Sequence, residues 1–142
     1  MSTPPRSASE PALDGDLVLL SVPADGAYLG VLRTAAAGLA ARLRFTLDEI
    51  EDLRIAVDEA CAMLIGLASP ASLLECRFVV SGEDLEVTLT VPAGPDGALP
   101  ATSSLTWQML TALTSAARAT VADQTATIAL TARRTPTSAQ PG

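Results

Sequence analysis

Glu59 is the residue of this chain whose type and position could most directly do chemistry. It lies in the stretch Asp52 to Ile65, whose apolar residues recur at the three- and four-residue spacings of an amphipathic helix. Apolar periodicity does not require a carboxylate at this point, and a positioned carboxylate is a candidate general base. Met63 follows one helical turn later on the same face. The helix therefore presents a candidate base beside an apolar side chain.

The residue types that the chain lacks exclude several kinds of chemistry. The sequence contains no histidine, and all nine of its basic residues are arginine. Nucleophile–histidine triads, histidine phosphorylation, histidine-rich metal sites and catalytic lysines are therefore excluded. Any enzymatic work falls to carboxylates, and we predict no metal site.

The charge distribution argues against direct binding to nucleic acid. The net charge is −7, and six of the sixteen acidic residues lie between Asp48 and Glu59, so a surface that follows phosphates is not expected. The apolar runs are far shorter than the roughly 20 residues of a membrane-spanning helix, and no signal peptide is recognisable. We expect a cytoplasmic protein that contacts neither nucleic acid nor a membrane.

Two cysteines, Cys61 and Cys76, lie on the apolar stripe of the helix and on the apolar face of a predicted strand. These positions favour buried free thiols over a disulfide bridge. A redox role is conceivable, but burial of both thiols argues against it.

Composition divides the chain into one domain and two tails. Residues 1–15 and 135–142 are rich in small and polar residues and proline without any period, so we predict disordered tails. Residues 16–134 form the predicted domain, and an apolar content of 49% is enough for a single core.

Hydrophobic periodicity within the domain predicts the order strand, helix, helix, strand, strand, helix, strand, strand. The second helix should start at Leu47, because Thr46 and Glu49 have the spacing of a capping box. Strict alternation over residues 74–80 and 85–91 predicts an antiparallel hairpin. The third helix is predicted over 103–117, with an inward face made of Leu105, Met109, Leu110 and Leu113. We therefore predict an α+β fold, a two-layer sandwich in which helices cover one face of a mainly antiparallel mixed sheet.

Three segments carry a resemblance to a known family. They are Asp52 to Ile65, Leu105 to Leu113 and Ile128 to Arg134. With the element order, they resemble the anti-sigma-factor serine kinases of the GHKL (Bergerat-fold) ATPase superfamily over residues 17–134, and in particular the actinobacterial anti-sigma-F factors.

The resemblance implies a Bergerat fold and a set of protein partners. Such a protein binds an alternative sigma factor, keeps it from RNA polymerase, and is displaced by an anti-anti-sigma factor of the STAS fold. Relatives are commonly dimers, so a homodimer is also implied. The resemblance places sigma-factor and dimer contacts in the region of the first strand and first helix.

Several members of this family also phosphorylate the anti-anti-sigma factor with ATP, which requires a carboxylate base and a magnesium-ligating Asn one turn later. Glu59 matches the base. Met63 stands at the Asn position, where a side-chain oxygen would hold Mg²⁺. An ordinary solvent-facing helix acid is the alternative interpretation of Glu59, and the loss of the metal position favours it.

The family kinases also need an Asp-x-Gly-x-Gly loop for adenine and a Gly-rich lid over the phosphates. The adenine loop keeps Gly94, but Pro92 stands where the Asp is expected, and Asp96 could replace that Asp only in a rearranged loop. The lid segment, residues 103–107, has no glycine to bring backbone amides round a triphosphate. We therefore expect no bound cofactor.

Three functions remain open at this point. The leading hypothesis is an anti-sigma factor that works by occlusion. The second is an active serine kinase with Glu59 as base, Gly94 and Asp96 at the nucleotide, and ATP with Mg²⁺ as cofactor. The third is a ligand-sensing module that uses the vacated pocket.

Other residues could be structural or functional. Trp107 is interpreted as a core anchor rather than a partner contact. Arg33 and Arg42 are predicted to be solvated. An exposed ion-pair row is predicted for Glu51, Arg54 and Asp58, which lie three and four residues apart.

Overall fold

The computed structural model describes residues 15–95, 98 and 104–135. Residues 1–14 and 136–142, which make up nearly all of the predicted tails, lie outside this range. The elements are β1 (Leu17–Pro23), α1 (Leu29–Arg42), α2 (Leu47–Ile65), β2 (Leu73–Ser81), β3 (Asp84–Pro92), α3 (Leu105–Leu113), β4 (Ala116–Ala122) and β5 (Thr125–Arg133), with a 3-10 turn at Gly26–Tyr28 before α1. The predicted order of elements is confirmed. None of the helices in the described ranges is long and apolar enough to cross a membrane.

The capping box predicted at the start of α2 is present. The Thr46 hydroxyl accepts a hydrogen bond from the Glu49 amide at 3.1 Å, and the Glu49 carboxylate accepts one from the Thr46 amide at 2.7 Å. Just before it, Arg44 adopts a left-handed conformation (φ 70°), which lets the Phe45 amide bond to the carbonyl of Ala40. This compact link makes α1 and α2 an antiparallel helical hairpin.

The sheet has five strands in the order β1-β2-β3-β5-β4. Each of its four pairings is antiparallel, so the described strands include no parallel pair of the kind that a mixed sheet would contain. The predicted β2–β3 hairpin is confirmed, with Ser81 opposite Asp84 across the turn. Alternation along the strands buries one face and exposes the other, as the two-layer α+β prediction requires.

The core lies between the sheet and the helices. The largest side chains with almost no exposure come from all parts of the fold: Leu32, Leu53, Val57, Leu64, Leu74, Phe78, Leu85, Val87, Leu89, Leu110, Ile128 and Leu130. Within the described residues, every buried side chain is apolar. Packing therefore fixes the position of α2, which contacts α1, α3, β3 and β5.

The third helix is shorter than predicted. It ends at Leu113 because Thr114 turns to an extended conformation (φ −131°, ψ 168°), and the Ser115 amide already bonds to Thr131 of β5. Residues 116 and 117 consequently belong to β4. Leu105 was predicted to point inward, yet it is 79% exposed at the first helical position. The predicted first residue, Ser103, lies outside the described residues.

We predict that Gln124→Gly stabilises the protein by about 0.5–1 kcal/mol. Asp123 and Gln124 form a two-residue hairpin loop with positive φ at both residues (54° and 60°), a conformation that glycine adopts without steric cost. Urea unfolding measures the change. Gln124→Ala is the control, for which no gain is expected, and a glycine variant no more stable than the alanine variant would contradict the prediction.

Candidate functional site

Glu59 and Met63 lie on α2 at the border of its buried face. Both side chains are half-buried, and Met63 packs against the hydrophobic core. Among the described residues, Glu59 has neither a hydrogen bond nor an ion pair that would orient its carboxylate. The position that would hold a metal ligand in a kinase is therefore an apolar packing contact, beside an unrestrained acid.

Asp58, the acid next to Glu59, pairs with α1. Its Oδ1 lies 3.3 Å from Nε of Arg33; each side chain is 36% exposed, and both of these atoms are buried. The angular geometry is that of an ion pair rather than a hydrogen bond, because neither atom has a hydrogen-bond partner. Arg33, predicted to be solvated, keeps partial exposure but is paired with Asp58. Only Glu51 and Arg54 of the predicted row pair along the helix, at 3.3 Å.

The loop after β3 carries Gly94. The preceding residue, Ala93, bonds through its amide to the Gln124 carbonyl at 2.9 Å and forms an isolated bridge with Ala68. A Cβ added at Gly94 would meet nothing within 4 Å, so close packing does not demand glycine there. Asp96 lies outside the described residues, and its predicted role at a nucleotide remains a prediction. Pro92 offers no carboxylate to this loop.

The segment at the former lid is a packed helix. Ser104 caps α3 by accepting a hydrogen bond from the Trp107 amide at 3.1 Å, and α3 packs against α2. Trp107 and Leu110 are buried in the core, which confirms the interpretation of Trp107 as a core residue. Within the segment, the Trp107 amide is already occupied by the Ser104 hydroxyl and is not free to bind a phosphate.

Of the described residues, Met63 does not fit a nucleotide with its metal, because its side chain packs against the core and offers no oxygen ligand. Within residues 15–95, 98 and 104–135, no group of three or more Cys, Asp or Glu side chains is arranged to hold a metal ion. Two cavities of the described structure lie away from Glu59 and Met63. The larger, about 440 Å³, is a groove on the sheet face opposite the helices, lined by Leu19, Ser21, Glu75, Arg77, Thr88 and Thr90 among others.

Both cysteines are buried and free, as predicted. Burial in the apolar core raises the pKa of Cys61 to about 12, with a further contribution from the charge of Asp58. Burial likewise raises the pKa of Cys76, and Cys61 adds to the effect. Neither thiol is suited to nucleophilic or redox chemistry at neutral pH.

The sequence patterns missed a contact of Glu49. In addition to the Thr46 amide, the Glu49 carboxylate accepts hydrogen bonds from the amide of Thr135, at 2.9 Å, and from its hydroxyl. Burial raises the pKa of Glu49, but these hydrogen bonds outweigh it and leave the pKa below its usual value. The capping-box spacing was a signal for the local bond, whereas no local pattern marks a partner 86 residues away.

By sequence, the chain is similar to bacterial serine-protein kinases. It is 48% identical over 77 residues to serine-protein kinase RsbW of Bacillus subtilis, covering 52% of this chain and 48% of the relative. With RsbW of Bacillus pumilus the identity is 33% over 84 residues, covering 56% and 52%. The chain therefore spans about half the length of the curated relatives that it matches. These similarities confirm the predicted resemblance to the anti-sigma serine-kinase family, although no family model matches the chain.

The fold is also shared with a solved structure. The crystal structure of the RsbU and RsbW domains of Rv1364c from Mycobacterium tuberculosis matches 85% of this chain and 33% of its own chain, with a TM-score of 0.69 and 16% identity. At that identity the match establishes the fold alone. The predicted α+β architecture is confirmed.

We predict that neither native cysteine reacts with a thiol reagent at pH 8. With a pKa of about 12, Cys61 would be thiolate in only about one molecule in ten thousand, and both thiols are also shielded from the reagent. Absorbance of the released chromophore measures the reaction, and both thiols should react in urea. Ser21→Cys, exposed on β1, is the positive control and should add one fast-reacting thiol. Reaction of the native wild-type protein at the control's rate would contradict the prediction.

Proposed function

We propose that this chain is an anti-sigma factor that acts by occlusion and not by catalysis. The observation that carries the proposal is its similarity to RsbW serine-protein kinases, combined with a packed Met63 where a kinase of this fold needs a metal ligand. Occlusion requires a surface complementary to the sigma factor. It does not require Mg²⁺, the adenine loop or the lid. Such a protein acts in the cytoplasm, where RNA polymerase is found.

The proposed partners are an alternative sigma factor and a STAS-type anti-anti-sigma factor that compete for this chain. The resemblance implies contacts at the first strand and helix, and β1 offers exposed apolar side chains there. Leu17, Leu19 and Leu73 share the open face at the β1 edge and are at least half exposed; we call them the β1 surface. Exposed apolar side chains grouped at a sheet edge are typical of interaction sites. A difference of about 1.4 kcal/mol between the two affinities would shift occupancy tenfold.

We expect at least one alternative sigma factor of the source genome to bind this chain. Purified sigma factors would be tested singly by pull-down and calorimetry, and a purified STAS partner should then release the bound one. Leu19→Asp should weaken binding at least about tenfold, because it places a charge in an apolar contact. Leu47→Asp is the matched control at a leucine outside the β1 surface that is even more exposed than Leu19.

Failure of every alternative sigma factor to bind would refute the proposed function. Equal loss of binding in the Leu19 and Leu47 variants would refute only the assignment to the β1 surface. Light scattering of the same samples tests the homodimer that the resemblance implies.

The kinase alternative predicts that the chain binds Mg-ATP and phosphorylates the STAS partner, and we expect neither. Without a metal ligand at position 63 and with no lysine in the chain, triphosphate charge would meet Glu59 and the acidic α2 uncompensated. Titration with Mg-ATP should give no heat, and incubation with the STAS partner and labelled ATP should give no labelled serine. Glu59→Gln should bind the sigma factor as the wild type does. Labelling by wild-type protein that is lost in Glu59→Gln would establish the kinase, whatever the outcome of the sigma-binding test.

A further inference from the structure

One carboxylate joins the start of α2 to the end of the domain. Glu49 Oε1 accepts the Thr46 amide, and its Oε2 accepts both the amide and the hydroxyl of Thr135. Thr135 is the second residue after β5 and is exposed. We call the contact of Glu49 with Thr135 the C-terminal latch.

The two arginines before Thr135 are already paired with other acids. Arg133 binds Asp84 through two hydrogen bonds, at 2.8 and 3.2 Å, and Arg134 lies 3.4 Å from the Glu83 carboxylate. The Arg134 amide also bonds to the Glu83 carbonyl at 2.9 Å. Both guanidinium groups are thus held at the β2–β3 turn and are not directed at the Thr135 hydroxyl.

We propose that Thr135 is a phosphorylation site and that phosphate on its hydroxyl opens the C-terminal latch. The modifying enzyme would be a protein serine/threonine kinase that uses ATP. The Thr135 oxygen forms a bond to the γ-phosphorus, the bond from that phosphorus to the bridging oxygen of ADP breaks, and the hydroxyl proton passes to a base of the kinase. The Thr135 side chain is exposed at the surface of the domain, so such an enzyme can reach it.

The consequence follows from the charges that face Thr135. Modification removes the hydroxyl donor and adds a charge of about −1.5 to −2 next to the Glu49 carboxylate, with Asp48 in the same helical turn. The positive end of the α2 dipole favours an anion, but Asp48 and Glu49 already occupy that first turn. Because Arg133 and Arg134 are bound to Asp84 and Glu83, they do not compensate the phosphate, and repulsion should separate Thr135 from Glu49.

The test places phosphothreonine at position 135 of the full chain by genetic encoding, which makes it independent of the kinase. Hydrogen exchange of the Thr135 amide should accelerate at least about tenfold relative to the unmodified chain, while amides in the middle of α2 keep their protection. Phosphothreonine at Thr120, which is exposed on β4, is the matched control and should leave the Thr135 amide unchanged. Unchanged protection of that amide in the position-135 protein would overturn the latch mechanism.

A second variant separates charge repulsion from simple bulk. In Glu49→Gln the phosphate no longer faces a carboxylate, so the modification should accelerate exchange much less than it does in the wild-type background. Equal acceleration in both backgrounds would overturn the electrostatic explanation. Phosphopeptide mapping of the chain from its own cells, grown with and without stress, should find phosphate on the peptide that contains Thr135. Its absence under both conditions would overturn the assignment of Thr135 as a modification site.

Discussion

The structure depends above all on burial of one face of α2 between the sheet and the other helices. Leu53, Val57, Cys61 and Leu64 are completely or almost completely buried, and truncation of such a leucine typically costs about 2–5 kcal/mol. With 3.6 residues per turn, this stripe fixes the direction of every other side chain on the helix. Glu59 and its neighbours therefore lie at the border of the core because of packing, before any chemical role is considered.

Local patterns in the sequence were sufficient for most of the fold. The capping box at Thr46 and Glu49 is closed by atoms three residues apart, so its spacing predicts it directly. The β2–β3 hairpin follows from alternation, because a one-residue slip would turn its apolar side chains to water. The boundary between α3 and β4 was missed because residues 114–117 include small residues compatible with either structure, and the pairing of Ser115 with Thr131 decides between them.

Contacts between distant residues could not be predicted in the same way. The pair formed by Arg33 and Asp58 depends on how α1 lies against α2, and the contact of Glu49 with Thr135 depends on where β5 ends. In both cases the partner lies on another element, which the spacing of residues within one element does not reveal. The candidate site was easier to analyse from the sequence, because its main feature is the residue type at position 63. That feature can be seen without knowing which residues lie nearby.

The presence of an acid at position 59 and of an apolar residue at position 63 has a physical explanation. Position 63 is half-buried against the core, where an asparagine without a metal or another partner would leave polar atoms unsatisfied at a cost of about 1–3 kcal/mol. The apolar side chain of Met63 contributes packing there instead. The Glu59 carboxylate remains accessible to water and needs no partner, so the stability of the fold depends little on it. A carboxylate with no metal ligand on the same face of its helix is therefore weak support for catalysis.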